Sequence, residues 1–205
     1  MFKFLLTIFL FCAGINQSLA KTNQDFLSQN KSDLTLIENY LNNIKFLNAN
    51  FTQQVNNGEV SNGRFLLSRP GKMRVEYNKP TPVLIIANGS VLAYTDLELE
   101  ETSYLSTNST PASFLTRKNF SFSAKDVEIT DFEKSADTIK VGIVKKNKKE
   151  AGTFSLIFKT NPLRFVKMEV KNDLDEITKV SFTTVKFDET IDDQLFVIKN
   201  KNLPE

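Results

Sequence analysis

Gly63-Arg64-Phe65-Leu66-Leu67-Ser68-Arg69-Pro70-Gly71-Lys72-Met73-Arg74-Val75-Glu76-Tyr77 is the stretch whose reading decides the fold. Before it stands Phe51-Thr52-Gln53-Gln54-Val55, and after it Val83-Leu84-Ile85-Ile86-Ala87-Asn88-Gly89-Ser90-Val91-Leu92-Ala93-Tyr94. Apolar residues alternate with polar ones at Phe51 and Val55, at Phe65 and Leu67, and at Met73, Val75 and Tyr77. A period of two marks strands with one buried face. Between two such runs sits Arg69-Pro70-Gly71. Proline cannot donate to a ladder and glycine accepts positive φ, so the chain turns there. Asn88-Gly89, between two apolar runs, predicts a type I′ hairpin. Consecutive antiparallel strands follow from this pattern.

The chain has 205 residues, 40% of them apolar, enough for one domain with a sizeable core. Its net charge of +2 argues against a field suited to nucleic acid. The one basic cluster, Lys145-Lys146-Asn147-Lys148-Lys149, lies between apolar strands and reads as a solvated hairpin loop. There is no His, and the single cysteine is Cys12. This removes imidazole bases, Cys-His nucleophile pairs and Cys/His zinc sites. Asn172-Asp173-Leu174-Asp175-Glu176 lacks the glycine and distant glutamate of a calcium loop and reads as a hairpin turn. Asp192-Asp193 and the Glu98, Glu100, Glu101 group read as solvated edges. No catalytic residue, metal site or cofactor is expected.

Residues 1–20 read as a secretory signal peptide. Lys3 supplies the charge, residues 4–15 the apolar run, and Ser18-Leu19-Ala20 the cleavage site. Cys12 follows Phe11 where a lipoprotein signal needs a small residue, so an ordinary signal cleaved after Ala20 is expected. Residues 21–205 then form a single domain. Residues 21–31 read as polar and loose. Leu34, Ile37, Leu41 and Ile44 recur at helical spacing, predicting an amphipathic helix over residues 32–46. Thr110-Pro111 predicts a short helix, with Thr110 as N-cap. Further strands are expected at residues 98–105, 120–124, 127–132, 138–144, 152–159, 164–170, 177–185 and 194–198. The class is mainly β with helices (α+β). About ten or eleven antiparallel strands form one curved sheet, an incomplete β-barrel with an N-terminal helix. Alternation assigns Phe51, Phe65, Leu67, Met73, Val75, Phe154, Leu156, Phe158, Val180 and Phe182 to its inner face. Such a set can fill a core or line a pocket, and if it lines one, the function is binding.

The order Phe51-x-Gln53, Gly63-x-Phe65-x-x-x-Arg69-Pro70, Met73-x-x-x-Tyr77, then Asn88-Gly89, resembles the LolA family of periplasmic lipoprotein carriers. The resemblance is specific over residues 51–94 and 110–115 and vague after about residue 120. It implies a short helical lid over an apolar concave face, starting at Thr110-Pro111. It also implies that Arg69 closes the lid by bonding backbone near Leu115 and Thr116, with Leu41 on the first helix. The implied acyl-chain cavity is lined by Phe51, Phe65, Leu67, Met73, Val75, Phe114, Leu115, Phe154, Phe158 and Phe182. Met73 and Val75 stand where many members carry aromatics, so the cavity shape is expected to differ. The implied function is a monomeric periplasmic carrier that shields acyl chains of lipoproteins. It would receive them from an inner-membrane ABC transporter and deliver them to an outer-membrane receptor or the outer membrane itself. The alternative is an envelope-sensing or scaffold module of the same fold.

Overall fold

The computed structural model describes residues 23–148 and 152–199. The expected leader and its cleavage site, with Cys12, lie outside the described residues. Two helices, α1 (Asn23–Gln29) and α2 (Lys31–Asn43), precede strands β1 (Phe46–Gln54), β2 (Val60–Ser68), β3 (Lys72–Tyr77), β4 (Val83–Asn88), β5 (Val91–Asp96) and β6 (Glu101–Ser106). A long connection carrying α3 (Ala112–Thr116) leads to β7 (Val127–Lys134), β8 (Thr138–Lys145), β9 (Thr153–Thr160), β10 (Leu163–Lys171) and β11 (Ile177–Phe187).

These eleven strands make one antiparallel sheet in the order β6-β5-β4-β3-β2-β1-β11-β10-β9-β8-β7. All neighbours are consecutive in sequence except β1 and β11, which join the two halves. The sheet does not close, because β6 and β7 end it without pairing. The incomplete barrel expected from the strand pattern is the observed architecture. The connection carrying α3 runs from one free edge to the other.

The amphipathic spacing of α2 buries Leu34, Ile37 and Leu41 against the concave face. It ends at Asn43, earlier than expected, because Phe46 already pairs with Ser68 in the ladder. Residues 23–29, expected to be loose, are helical. Phe26 anchors them in the core with Leu27 packed partly against it, and two adjacent apolar positions carry no periodicity to read.

Gly63 faces Phe51 on β1 and Tyr77 on β3 in register. The Phe51 and Tyr77 rings meet edge to face at 5.1 Å, and Tyr77 Oη donates to Gln53 Oε1 at 2.7 Å. The spaced Phe-x-Gln, Gly and Tyr of the sequence thus form one cross-strand cluster. A Cβ on Gly63 would lie 2.1 Å from the Glu76 carbonyl oxygen and 2.9 Å from the Phe51 ring. Only glycine lets three strands approach beneath that ring.

Three local expectations are corrected. Of the hairpin residues Gly89 and Ser90, only Gly89 has positive φ (+61°), and Asn88 pairs with Val91 inside the ladder. That is the II′ pattern, not I′. Residues 120–124 are not a strand. The Phe120 and Phe122 N–H groups donate to Asn42 Oδ1 (2.7 Å) and Glu38 Oε1 (2.6 Å) of α2 instead of to a ladder. Residues 194–198 hold a 3-10 helix, Asp193–Phe196, capped by Asp192 accepting the Gln194 N–H. Its Phe196 joins Leu66, Ile86 and Ile191 in a second cluster on the convex face.

Candidate functional site

All ten residues that alternation assigned to the inner face belong to the concave-side core, nine of them buried and Val75 partly so. Phe120 and Phe122, expected in a strand, are buried in the same core from the connection. Phe165 and the Ile139, Val141, Ile143 row of β8 complete it, although the sequence reading did not single them out. Phe65 and Phe165 both pack on Phe182, at 5.2 and 5.1 Å.

Over this face lies α3, whose five residues are all buried. Phe114 stacks on Phe154 of β9, centroids 5.9 Å apart and planes 8° apart, and meets Phe120 edge to face at 6.5 Å. The expected N-cap shifts by one residue. Pro111 occupies that position, while the Thr110 hydroxyl donates to the Thr107 carbonyl. Beneath α3 the hollow bounded by Leu41, Leu67, Phe114, Leu115, Leu156 and Phe165 measures about 10 Å³. That is room for roughly one water. The inner side chains therefore fill the interior in this closed form. Of the ten expected cavity residues, Phe65, Leu67, Phe114 and Leu115 border the hollow. Phe51, Met73, Val75, Phe154, Phe158 and Phe182 lie in the surrounding core.

Arg69 fastens this arrangement. It projects from the three-residue turn between β2 and β3, where Gly71 holds φ at +89°. Its Nε donates to the Arg117 carbonyl at 2.9 Å, and Nη2 reaches the same oxygen. Nη2 also donates to Asn42 Oδ1 at 3.3 Å and to the Lys118 carbonyl at 3.4 Å, while Nη1 donates to the Leu41 carbonyl. Leu41 is the helix partner that the resemblance implied. On the lid side the partners are Arg117 and Lys118, not Leu115 and Thr116. The Thr116 carbonyl instead accepts the Gly71 N–H at 2.7 Å, so the turn is bonded to the lid twice. The C-terminal end of a short helix leaves carbonyls without intrahelical donors, and a planar guanidinium can serve several at once. Burial, and then the nearby Arg117 charge, lower the Arg69 pKa, yet a guanidinium stays protonated in any physiological range.

A second polar group holds the lid from the other side. The Arg117 guanidinium lies 5.1 Å from the Phe114 centroid and bonds Asp126 through Nη1 and Nη2 at 3.3 and 3.1 Å. Lys145 of β8 donates to the Asn108 carbonyl at 2.7 Å and to Ser113 Oγ at 3.4 Å. Burial alone raises the Asp126 pKa, but the Arg117 hydrogen bonds and charge, with Lys145, bring it below the usual value. A depressed carboxylate stabilises the fold above its unfolded pKa of about 3.9 and loses that contribution as pH falls through the folded value. With no His in the chain, no switch near neutrality is built into this lid. Asp126→Asn is therefore expected to cost a constant increment, within about 1 kcal/mol for so exposed a pair, from pH 5 to 8. The increment should vanish well below pH 4. Urea unfolding across pH checks this, and a step near pH 6.5 would contradict it.

Among the described residues no group of carboxylates is placed to hold a metal ion. Asn172 Oδ1 accepts the Leu174 and Glu176 N–H groups, making the expected hairpin turn between β10 and β11. Glu98 lies in the turn after β5, where its N–H donates to Asp96 Oδ1, and β6 begins at Glu101.

The outer membrane lipoprotein carrier protein family, LolA, matches residues 42–199. An outer-membrane lipoprotein carrier protein of Methylococcus capsulatus is 26% identical over 204 residues, covering 95% of this chain and 92% of the relative. One from Chromobacterium violaceum is 30% identical over 166 residues, covering 74% and 76%. A protein of uncharacterised function from Rickettsia prowazekii is 24% identical over 198 residues, covering 97% and 87%. In fold, a domain of the outer-membrane lipoprotein-sorting type from Vibrio parahaemolyticus aligns with TM-score 0.51 at 9% identity, over 80% of this chain and 94% of that one. With the match spanning β1 to β11, the lid and Arg69, the chain belongs to the outer membrane lipoprotein carrier family, LolA.

Proposed function

We propose that this protein is a periplasmic carrier that shields the acyl chains of lipoproteins on their way from the inner to the outer membrane. It works by binding, without catalysis. The mature chain begins at Lys21 as a single domain and acts as a monomer. Its partners are acylated lipoproteins, an inner-membrane ABC transporter that releases them, and an outer-membrane receptor or the outer membrane itself. The observation that supports this reading is a largely apolar interior covered by a five-residue helix whose C-terminal end Arg69 latches to the β2–β3 turn.

Lid displacement is energetically accessible to such a cargo. Exposing Phe114 and Leu115 costs about 3–6 kcal/mol, at roughly 1.5–3 kcal/mol per large apolar side chain, and releasing the Arg69 bonds adds roughly 1.5–3 kcal/mol. Burying ten methylenes of an acyl chain returns about 8 kcal/mol, at roughly 0.8 kcal/mol each. An unacylated peptide supplies no such compensation and leaves the lid closed. Phe51, Phe65, Leu67, Met73, Val75, Phe154, Phe158 and Phe182 then become the walls around the chains.

The test is native mass spectrometry of protein purified from periplasm, with a synthetic diacylated peptide and its unacylated twin as added ligands. A mass starting at Lys21, a one-to-one complex with the acylated peptide and none with the twin are expected. Equal binding of both peptides, or of neither, would reject an acyl-chain carrier.

A further inference from the structure

The two ends of the sheet are finished differently. On β7, Asn23 Oδ1 of α1 accepts the Ile129 N–H at 2.7 Å, and a bulge interrupts the register between Ile129 and Asp131. Asp131, Glu133 and Lys134 place charges along that strand. A covering element, a bulge and charge are the devices that keep an edge strand from pairing. β6 lacks the bulge, has no Lys or Pro, and keeps six regular pairs with β5. No strand pairs with its outer edge among the described residues.

Ladder geometry identifies the groups on that edge. The Thr107 N–H donates to the Ser90 carbonyl (2.8 Å) and the Leu97 N–H to the Pro82 carbonyl (2.6 Å). Antiparallel pairs alternate between bonded and unbonded, so Glu101, Ser103 and Leu105 bond to β5. The N–H and C=O of Thr102 and Tyr104 therefore turn outward. Beside them on the convex face lies a groove of about 800 Å³. Its floor holds the small Ala93 and Thr95, and its walls include Leu97, Tyr104, Leu195 and Val197. Tyr104 is 46% exposed and Val197 45%, so the apolar walls are open to water. Glu100 and Glu101 line the groove where β6 begins, Glu98 stands in the turn just before it, and all three residues are exposed.

We propose that β6 and this groove form a β-augmentation site for an extended segment of a partner protein. The segment is apolar at alternate positions and carries Lys or Arg at the end lying beside Glu98 and Glu101. Main-chain bonds to Thr102 and Tyr104 add a twelfth strand. Alternate side chains of the guest enter the groove, and its cationic end answers the carboxylates. Two cations among the described residues also line the groove: Arg74, already satisfied by Glu76 and the Leu195 carbonyl, and the exposed Lys199, so Glu98 and Glu101 together outnumber the one cation still open to a guest. The groove opens on the convex face, whereas the lid covers the concave one, so partner and interior cargo do not compete for space.

The probe is a capped peptide of alternating valine and threonine, made with two lysines at its N-terminal or its C-terminal end. Amide exchange is followed by NMR on the wild-type chain. At millimolar peptide, one of the two versions should slow exchange at Thr102 and Tyr104 at least tenfold and leave Gly71 unchanged. The effect should weaken severalfold when both Glu98→Lys and Glu101→Lys are introduced, or at high salt in the unaltered protein. Thr102→Pro should abolish it while keeping the β5 bonds, since only an outward N–H is lost. Failure of either peptide to protect these amides, or protection that ignores the glutamates and salt, would overturn the proposal. So would protection that grows with protein concentration alone, accompanied by a dimer mass, because the guest would then be a second copy of this chain.

Discussion

Arg69→Leu is expected to raise affinity for acylated peptide by roughly thirtyfold and to slow its release by a similar factor. The guanidinium bonds Leu41 on α2 and Arg117 and Lys118 at the end of the lid, and the bonds to Arg117 and Lys118 exist only while the lid is closed. Charge-assisted bonds of this kind contribute roughly 1.5–3 kcal/mol. A loss of about 2 kcal/mol from the closed form shifts its balance with the open form by about thirtyfold. Cargo no longer has to displace the latch. The variant should therefore hold cargo tightly, pass it poorly to outer-membrane vesicles, and remain folded with a Tm lower by about 4–8 °C. Arg69→Lys should fall between the two, because an ammonium cannot serve the Leu41 and Arg117 carbonyls with one planar fork. Binding by anisotropy and transfer to vesicles measure both quantities. Wild-type affinity and transfer in a folded Arg69→Leu protein would reduce Arg69 to a turn residue.

Gly63→Ala is expected to be the most damaging small substitution in the sheet. Its Cβ would meet the Glu76 carbonyl oxygen at 2.1 Å, and that oxygen belongs to the paired backbone of β3. The Phe51 ring, at 2.9 Å, could shift, but the carbonyl can move only with the ladder. A cost above about 3 kcal/mol follows, with a fall in Tm of about 6–12 °C or more. Phe51→Ala in the same chain should relieve the ring contact and leave the carbonyl contact, so it should not restore stability. Urea unfolding of the single and double variants decides. A loss under about 1 kcal/mol for Gly63→Ala would mean the strands do not approach as closely as the register requires.

Strand content and the inner face were legible because a period of two is a direct imprint of one-sided burial. Phe51, Phe65, Leu67, Phe154, Phe158 and Phe182 all came from it and all lie in the concave core. The same rule missed Phe120 and Phe122, whose apolar-polar spacing mimics a strand. Their backbone is held by Asn42 and Glu38, 78 and 84 residues earlier, a pairing with no local signal. The C-terminal turn was misread for a related reason. Leu195, Phe196 and Val197 look like a strand, yet Phe196 is buried against Leu66 and Ile86, which required a convex face also covered. For Arg69 the sequence supplied the residue and its helix partner through family likeness. The Arg117 and Lys118 partners depend on where the lid ends, and end positions are the least determined part of a short helix.

The measurement that most directly tests the central claim, a lid that opens to admit acyl chains, is exchange of the Gly71 amide. That N–H donates to the Thr116 carbonyl at 2.7 Å, so its protection reports lid closure at a position outside the apolar interior. In the free protein the amide should be protected. Stoichiometric diacylated peptide should raise its exchange rate at least tenfold, with the unacylated twin leaving it unchanged and the β1–β11 amides staying protected. A Gly71 amide that remains fully protected while acylated peptide is bound would contradict the account, since the chains would then lie somewhere other than beneath the lid.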